Sequence, residues 1–383
     1  MVKHEKPIYL DYAAATPLDP EVLQAMLPYF SERFYNPSAN YGLSKEVRRD
    51  LNQARSKIAF WLGAQANEII FTAGGTEANN LAISGVMNRY PDAKLLVSAG
   101  EHESVLQPAS NYSAKTIPIN SDGRLAVDAL AALIDDRTVL ISVAYANNEI
   151  GTIQPLRQAS RLIESVRVDR RRRQLNLPLY LHSDACQAGN FLDLHVKRLG
   201  VDLLTLNGGK IYGPKQSGLL YVSRQIQLTP QIYGGGQERN LRSGTENVAA
   251  DIGLAVALDM AQTDRDQYSL KLSRLRDYFI AGLKKQFPGA QINGSLKYRL
   301  PNNVHVTFPG QDNEVLLIGL DQAGVMAAAG SACSASKEEP SHVLTALGLS
   351  KEQARSSLRF SLGKDNTQAD IVKTLSVLRG LVC

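Results

Sequence analysis

Lys210 sits in the stretch LTLNGGKIYGPKQSG (residues 204–218), after an apolar run and two glycines, with a Gly-Pro-Lys turn three residues on. Such a lysine is a solvated surface charge, a phosphate-loop lysine or a nucleophile. The phosphate loop is excluded, because G-x-x-x-x-G-K-[ST] needs a magnesium-holding hydroxyl after the lysine, and Ile211 stands there. The residues at the ends of the other apolar runs bear on the remaining choice. After EIIFTA comes GGTEANN, a glycine turn feeding a helix with Gly75 and Thr76 at its start; free amides and a hydroxyl there make an anion site. KLLVSA leads to GEHESV and His102, and TVLISVAYA leads to NNEIGTIQP with Asn147 and Asn148. PLYLH leads to SDACQAG, which supplies Asp184, Cys186 and Gln187, and LLTLN brings Asn207 and Lys210. Each alone is an ordinary loop residue. Together they fit pyridoxal 5'-phosphate (PLP): a lysine to bond it, a carboxylate for its pyridine nitrogen and an anion cradle for its phosphate.

Residues at strand ends converge only if those strands share one sheet. The runs between residues 68 and 223 are continuous and rich in Val, Ile and Leu, as expected for strands buried on both faces of a mostly parallel sheet. In such sheets ligands bind beyond the carboxyl ends. Upstream, SKEVRRDLNQARSKIAFWLG places Val47, Leu51, Ala54, Ile58 and Leu62 on one helical face, with Ser44 as expected N-cap and Gly63 as C-terminal cap. After Thr245 a long helical region, 247 to about 287, precedes a mixture of strands and helices that reads as a smaller α+β domain. The expected division is a large domain over 15–260 and a small one made of 1–14 plus 261–383.

The 383 residues, 44% hydrophobic and 21% charged, are ordinary for a globular chain, and no apolar stretch approaches the roughly 20 residues that span a bilayer. The start, MVKHEKPIYLDYAAATP, has no apolar leader segment, so cytoplasmic residence is expected. Three cysteines without a C-x-x-C pair, and histidines without H-x-x-x-H spacing, predict neither a disulfide framework nor a metal. The net charge of +5 is mild; its local excess, RVDRRRRQ, carries no interleaved aromatics and reads as a solvated helix end, so neither membrane nor direct nucleic-acid binding is expected.

The assembled motifs resemble the cysteine desulfurases of the NifS/IscS type, fold-type I PLP enzymes of the class V aminotransferase group. The resemblance runs nearly end to end: YLDYAAATP, NPSANYG, FTAGGTEANNLAI, GEHESV, NNEIGTIQP, HSDACQAGN, GGKIYGPKQSG, GGGQERNLRSGTEN, GSACSASKEEPSHVLTALG and SLRFSLG. It implies an α/β fold-type I architecture and a role for each matching residue. Lys210 corresponds to the lysine that bonds PLP, Asp184 to the carboxylate facing the pyridine nitrogen, Gln187 to the amide near the ring hydroxyl and His102 to the imidazole stacked on the ring, an acid/base. Thr76 corresponds to a phosphate ligand, and Thr245 to one donated by the neighbouring subunit, which implies a homodimer. Asn148 and Arg359 correspond to the groups holding the substrate carboxylate, a task that suits a bidentate guanidinium. Cys333, in the small-residue stretch AAAGSACSASKEEPS, corresponds to the thiol that attacks the sulfur of L-cysteine and passes it to an acceptor protein. Cys186 and Cys383 have no role in this reading.

The sequence departs from that pattern. Where relatives commonly have Ser-Gly-His-Lys, this chain has Asn207-Gly208-Gly209-Lys210, so a histidine that contacts the phosphate is missing and looser PLP binding is expected. Tyr41 replaces a frequent histidine, and the chain stops soon after its final helix, where many relatives continue into a tail that docks an iron–sulfur scaffold. The expectation is therefore a PLP-dependent cysteine desulfurase whose sulfur goes to iron–sulfur clusters or a thiolation pathway. The competing readings are a selenocysteine lyase, an aminotransferase-like enzyme and a PLP-deficient binding protein of the same fold.

Overall fold

The computed structural model describes residues 7–330 and 340–382. Cys333 and Cys383 therefore lie outside the described residues. In chain order the strands are β1 (Ile8–Tyr9), β2 (Ile69–Thr72), β3 (Lys94–Ser98), β4 (Ser113–Ile117), β5 (Thr138–Ser142), β6 (Tyr180–Asp184), β7 (Leu203–Asn207), β8 (Gly218–Val222), β9 (Gln291–Ile292), β10 (Asn303–Thr307), β11 (Val325–Met326) and β12 (Ser357–Ser361). The main sheet has the order β2-β8-β7-β6-β5-β3-β4. Neighbours from β4 to β7 are parallel, and β8 is antiparallel to both β7 and β2. Two reversals make β2 parallel to β7. The carboxyl ends of β2, β3, β5, β6 and β7 therefore share one edge, as the sequence pattern requires.

The five apolar runs named above form strands, as does GLLYVS at residues 218–223, and β2, β5 and β8 are buried at every position. The sequence pattern misses β4: SAKTI is exposed along most of its length because it forms the sheet's edge, where a lysine discourages further pairing. The helix Gly42–Leu62 buries Val47, Leu51, Ala54, Ile58 and Leu62 as expected and ends at Gly63 with φ 60°. A β-carbon at Gly63 would also lie 2.3 Å from the His195 ring, so glycine is required there twice over. Ser44 is not the N-cap. The cap is Tyr41, three residues earlier, which leaves the Ser44 hydroxyl buried in the helix without a partner among the described residues. The long helical region is two helices, Val248–Thr263 and Arg265–Gln286, broken at Asp264, whose φ and ψ of −92° and 1° leave the helical region.

A second, antiparallel sheet, β12-β10-β9, is covered by Arg265–Gln286 and the final helix Gln368–Val382 over its own apolar core, which includes Phe279, Val304, Phe360 and Leu375. The N-terminal segment joins both bodies. β1 pairs with β11, Leu10 lies in the second core, and Asp11 bridges to Ser361 before the chain turns into the main sheet's site edge.

The arginine run ends the helix Leu156–Arg172, and one of its members, Arg170, faces inward. Arg170 is buried and donates to the carbonyls of Leu177, Pro178, Asp135 and Thr138 at 2.7–3.1 Å. Arg167 pairs with Asp202, Arg171 with Glu164 and Arg173 with Asp136. The expectation of a solvated helix end holds for Arg171, Arg172 and Arg173 but not for Arg170, whose guanidinium knits the strand-entry loops together. Replacing it, as in Arg170→Met, removes four hydrogen bonds to backbone carbonyls and should lower stability by about 3 kcal/mol, whereas Arg172→Ala should change it by less than about 0.5 kcal/mol. Urea denaturation of the two variants beside the wild type measures the contrast.

Candidate active site

At the shared strand edge a cavity of about 190 Å³ is lined by Gly75, Thr76, His102, Asn148, Asp184, Gln187, Asn207, Lys210 and Arg359, together with Ala13, Ala14, Asn79, Ser104 and Cys186. The structure thus brings together nine of the residues singled out from the sequence. Thr245 is exposed and does not line the cavity, and Cys333 is outside the described residues. A larger open groove, about 730 Å³, passes Asn190, Tyr268, Lys271, Arg274 and Lys364. It carries no convergent carboxylate, imidazole and amine, so chemistry favours the smaller cavity.

Lys210 ends a short 3-10 turn that begins directly after β7. Its Nζ donates to the Ala13 carbonyl at 3.0 Å and to that of Ala14. Burial pushes its pKa below the usual lysine value, with Cys186 opposing the shift and the Arg359 guanidinium adding to it. Thr16 holds the same turn: its N–H donates to the Gly209 carbonyl at 3.1 Å and its hydroxyl accepts from Tyr212 N–H at 2.8 Å. Asn207 caps the turn, its Oδ1 accepting from Gly209 N–H at 2.9 Å, so its amide nitrogen remains to face the anion turn.

That turn is close-packed. Gly74 has φ 141°, and a β-carbon on Gly75 would lie 2.8 Å from Cys186 Sγ. The N-terminus of Gly75–Met87 is therefore open backbone, and the exposed Thr76 belongs to its first turn. Asp184, the last residue of β6, accepts from Cys186 N–H at 2.9 Å and from Asn79 Nδ2 at 2.7 Å. Asn79 Nδ2 also reaches Ser104 Oγ, and Ser104 Oγ lies 2.8 Å from His102 Nδ1. Since Ser104 N–H donates to Nδ1 as well, that nitrogen is an acceptor and the ring proton sits on Nε2. Sequence reading missed Asn79 and Ser104, the link between Asp184 and His102. The available signal was an asparagine among the apolar residues of a helix face.

Two buried groups support Asp184 from behind. His182 bridges Ser142 Oγ at 2.9 Å and Thr205 Oγ1 at 3.1 Å across β5, β6 and β7; burial lowers its pKa to about 4, which keeps it neutral. Glu101, beside His102, is fully buried, accepts from Ala144 N–H at 2.6 Å and has its pKa raised to about 8 by burial, with Asp184 adding to the shift. Cys186, given no role by the sequence, lines the cavity, and burial followed by the Asp184 charge pushes its thiol pKa well up. Arg359, on β12, is buried, donating to Asp11 Oδ1 at 2.6 Å and to the Asn148 carbonyl at 3.1 Å, while its Nε has no partner among the described residues. Gln187 donates to the Ala13 carbonyl at 3.0 Å.

The sequence matches the family described as aminotransferase class-V over residues 8–374. It is 40% identical over 385 residues to a cysteine desulfurase IscS of Dictyoglomus turgidum, covering 99% of this chain and 95% of that one. A solved NifS-like protein superposes with a TM-score of 0.89 at 30% identity over 98% of both chains. A structure of SspA in complex with cysteine superposes at 0.79, with 32% identity, over 93% of this chain and 98% of that one. The chain belongs to the class-V aminotransferases, a family that works with PLP. Within that family it falls among the cysteine desulfurases of the NifS/IscS type. The fold-type I α/β architecture expected from the sequence is the one observed. The cavity fits the cofactor: it offers a neutral-tending amine, a carboxylate held by two donors, an open helix N-terminus and buried polar atoms without partners at Asn79 Oδ1 and Arg359 Nε.

Glu101 gives the site a pH signature. Its folded pKa is raised above the unfolded value, so its contribution is fully present below about 4.5 and is lost as pH rises toward about 8. Glu101→Gln should remove that part of the decline, and urea midpoints for both proteins at pH 6 and 8.5 measure it. Gly209 has room for a side chain, the nearest atoms to an added β-carbon being Asn207 Oδ1 at 3.4 Å and Lys215 Cγ at 3.6 Å. Gly209→His should therefore fold and retain PLP more tightly on equilibrium dialysis; unchanged retention would mean that the missing histidine does not weaken the phosphate site.

Proposed function

We propose that this chain removes sulfur from L-cysteine with PLP, releases L-alanine and carries the sulfur as a persulfide on Cys333 to an acceptor protein. The observation that carries the reading is the meeting of Lys210, Asp184 and Arg359 in one cavity. That set is a nucleophilic amine, a fixed negative charge and a guanidinium with an unused donor. The relative named cysteine desulfurase and the neighbour bound to cysteine support the choice of substrate.

When bound, PLP supplies an electron sink for negative charge at the α-carbon of an amino acid. Gly75 N–H, Thr76 Oγ and the Asn207 amide would hold its phosphate, Asp184 its pyridine nitrogen and Gln187 its ring hydroxyl. Lys210, tuned by burial toward the neutral amine, would bond the cofactor and move protons at Nζ. His102 presents Nε2–H to the cavity and is placed to share that proton traffic. Arg359 and Asn148 orient the substrate carboxylate. The Cys333 thiolate then attacks the substrate's sulfur. The S–S bond forms as the C–S bond breaks, the electron pair of the broken bond stays on carbon, and a proton completes alanine. Cys186, its thiol held protonated beside Asp184, is a poor competitor for that sulfur.

The reading includes a homodimer in which Thr245 reaches the neighbour's phosphate. Its exposure outside this chain's cavity supports that arrangement, as do exposed apolar side chains at Leu23, Leu27, Phe30, Phe34, Phe60 and Tyr233. It also includes a small domain, 1–14 plus 261–383, that carries Cys333 against the large one. Iron–sulfur cluster assembly is the favoured destination, and a reducing cytoplasm suits a thiol that must cycle. No helix among the described residues is long and apolar enough to cross a membrane.

Alanine formation from L-cysteine, with PLP and a reductant, tests the reading. The wild type and Cys186→Ala should form alanine, and Cys333→Ser should not. Alanine from Cys333→Ser at the wild-type rate would refute the persulfide step, and pyruvate in place of alanine would refute the desulfurase reading.

A further inference from the structure

Residues 234–244 form a loop whose conformation its own sequence does not favour. Glu238, Arg239 and Asn240 follow one another at φ 42, 59 and 61°. In that left-handed region a β-carbon crowds the next carbonyl, and of the three only asparagine is at ease. The loop's own side-chain bonds, Gly244 N–H to Gln237 Oε1 at 2.9 Å and Gly236 N–H to Ser243 Oγ at 3.3 Å, are few. The restraint comes from outside. The buried Glu238 carboxylate accepts two bonds from the Arg55 guanidinium, 2.6 and 2.7 Å, and a third from Phe71 N–H at 2.9 Å. Arg55 is itself fixed by the Ile69 carbonyl and lies over the Phe71 ring, 4.5 Å from its centroid. Further along the loop, Arg242 Nε donates to Glu77 Oε1 at 3.0 Å, and Glu77 Oε2 accepts from Ala73 N–H at 3.0 Å. Both anchors end on the strand, turn and helix that carry Gly75 and Thr76: Phe71 lies before the turn, Ala73 within it and Glu77 just after.

We propose that Glu238, Arg55, Arg242 and Glu77 are positioning residues for the cofactor. They fasten the loop that presents Thr245 to this chain's own anion turn, so each subunit aims the Thr245 it offers its neighbour from the turn that holds its own phosphate. The inference rests on Thr245 acting as a phosphate ligand for the neighbouring subunit. A left-handed loop without its latches relaxes toward ordinary backbone, and Thr245, three residues beyond Arg242, moves with it. The two cofactor sites of the dimer are then joined through packed, charge-paired elements rather than through solvent.

The test follows PLP release from the holoenzyme during dialysis, by its absorbance, with thermal unfolding recorded in parallel. The variants are Glu238→Gln, Arg242→Gln, Thr245→Ala and each of the first two combined with the third. Each single variant should lose PLP about tenfold faster, the loss expected for one charge-assisted contact. Each combination should lose it little faster than Thr245→Ala alone, because both changes act through one contact. In the Glu238→Gln background, Arg239→Gly should restore part of the retention by removing the left-handed penalty at φ 59°. Rates that multiply in the combinations overturn the proposal, as does a lowered melting temperature with wild-type PLP release. If Glu238→Gln does not fold, the partly exposed Arg242–Glu77 pair carries the same test. Wild-type release from Thr245→Ala would instead overturn the reading of Thr245, and the proposal with it, a result the other variants cannot mimic.

Discussion

The cavity depends on how residues 11–16 are pinned between the two sheets. Their backbone carbonyls need donors, and two of the donors are side chains that line the cavity: Lys210 reaches Ala13 and Ala14, and Gln187 reaches Ala13. Asp11 takes the Arg359 guanidinium, and Ala13 N–H is held by Ser361 Oγ at the end of the same strand. Thr16 grips the lysine turn from the other side. One short segment therefore sets the distance between the amine on the main sheet and the guanidinium on the second. A side chain as long as lysine would otherwise sample several rotamers; here its Nζ has two fixed carbonyl acceptors.

The main sheet was legible because strands buried on both faces leave a continuous apolar signature, and because parallel topology obliges their ends to converge. The edge strand β4 was not, since a half-exposed strand containing a lysine has the composition of a loop. The nine cavity-lining residues that the family motifs named were legible, whereas the contacts of Asn79, Ser104, Asp11 and Thr16 were not. Their importance lies in partners 25 to 348 residues away, and no local spacing encodes such a pairing. Ser44 shows the converse failure: a good capping residue is overruled when the chain enters its helix sooner. Arg170 shows another, because four successive arginines look alike in sequence although one is buried and its neighbours are exposed.

The electrostatics follow a division of labour. Neutral groups lie behind the site, with His182 and Glu101 both held uncharged by burial near neutral pH. Charges lie in front, each with a partner: Asp184 with Asn79, Arg359 with Asp11. Neutral groups behind a carboxylate cannot compete for its counter-charge, so the field of Asp184 is directed into the cavity. The same carboxylate bears on Cys186, adding to the burial that holds its thiol protonated.

The contact between Gly75 and Cys186 also bears on how such a chain can evolve. A methyl group at position 75 and a sulfur at position 186 cannot occupy the same few ångströms, although the backbone at 75 itself would admit alanine. Mutation can therefore reach alanine at 75 only after the cysteine has shrunk or turned aside. The two positions, 111 residues apart, should drift through sequence space as a pair, with 186 taking the first step.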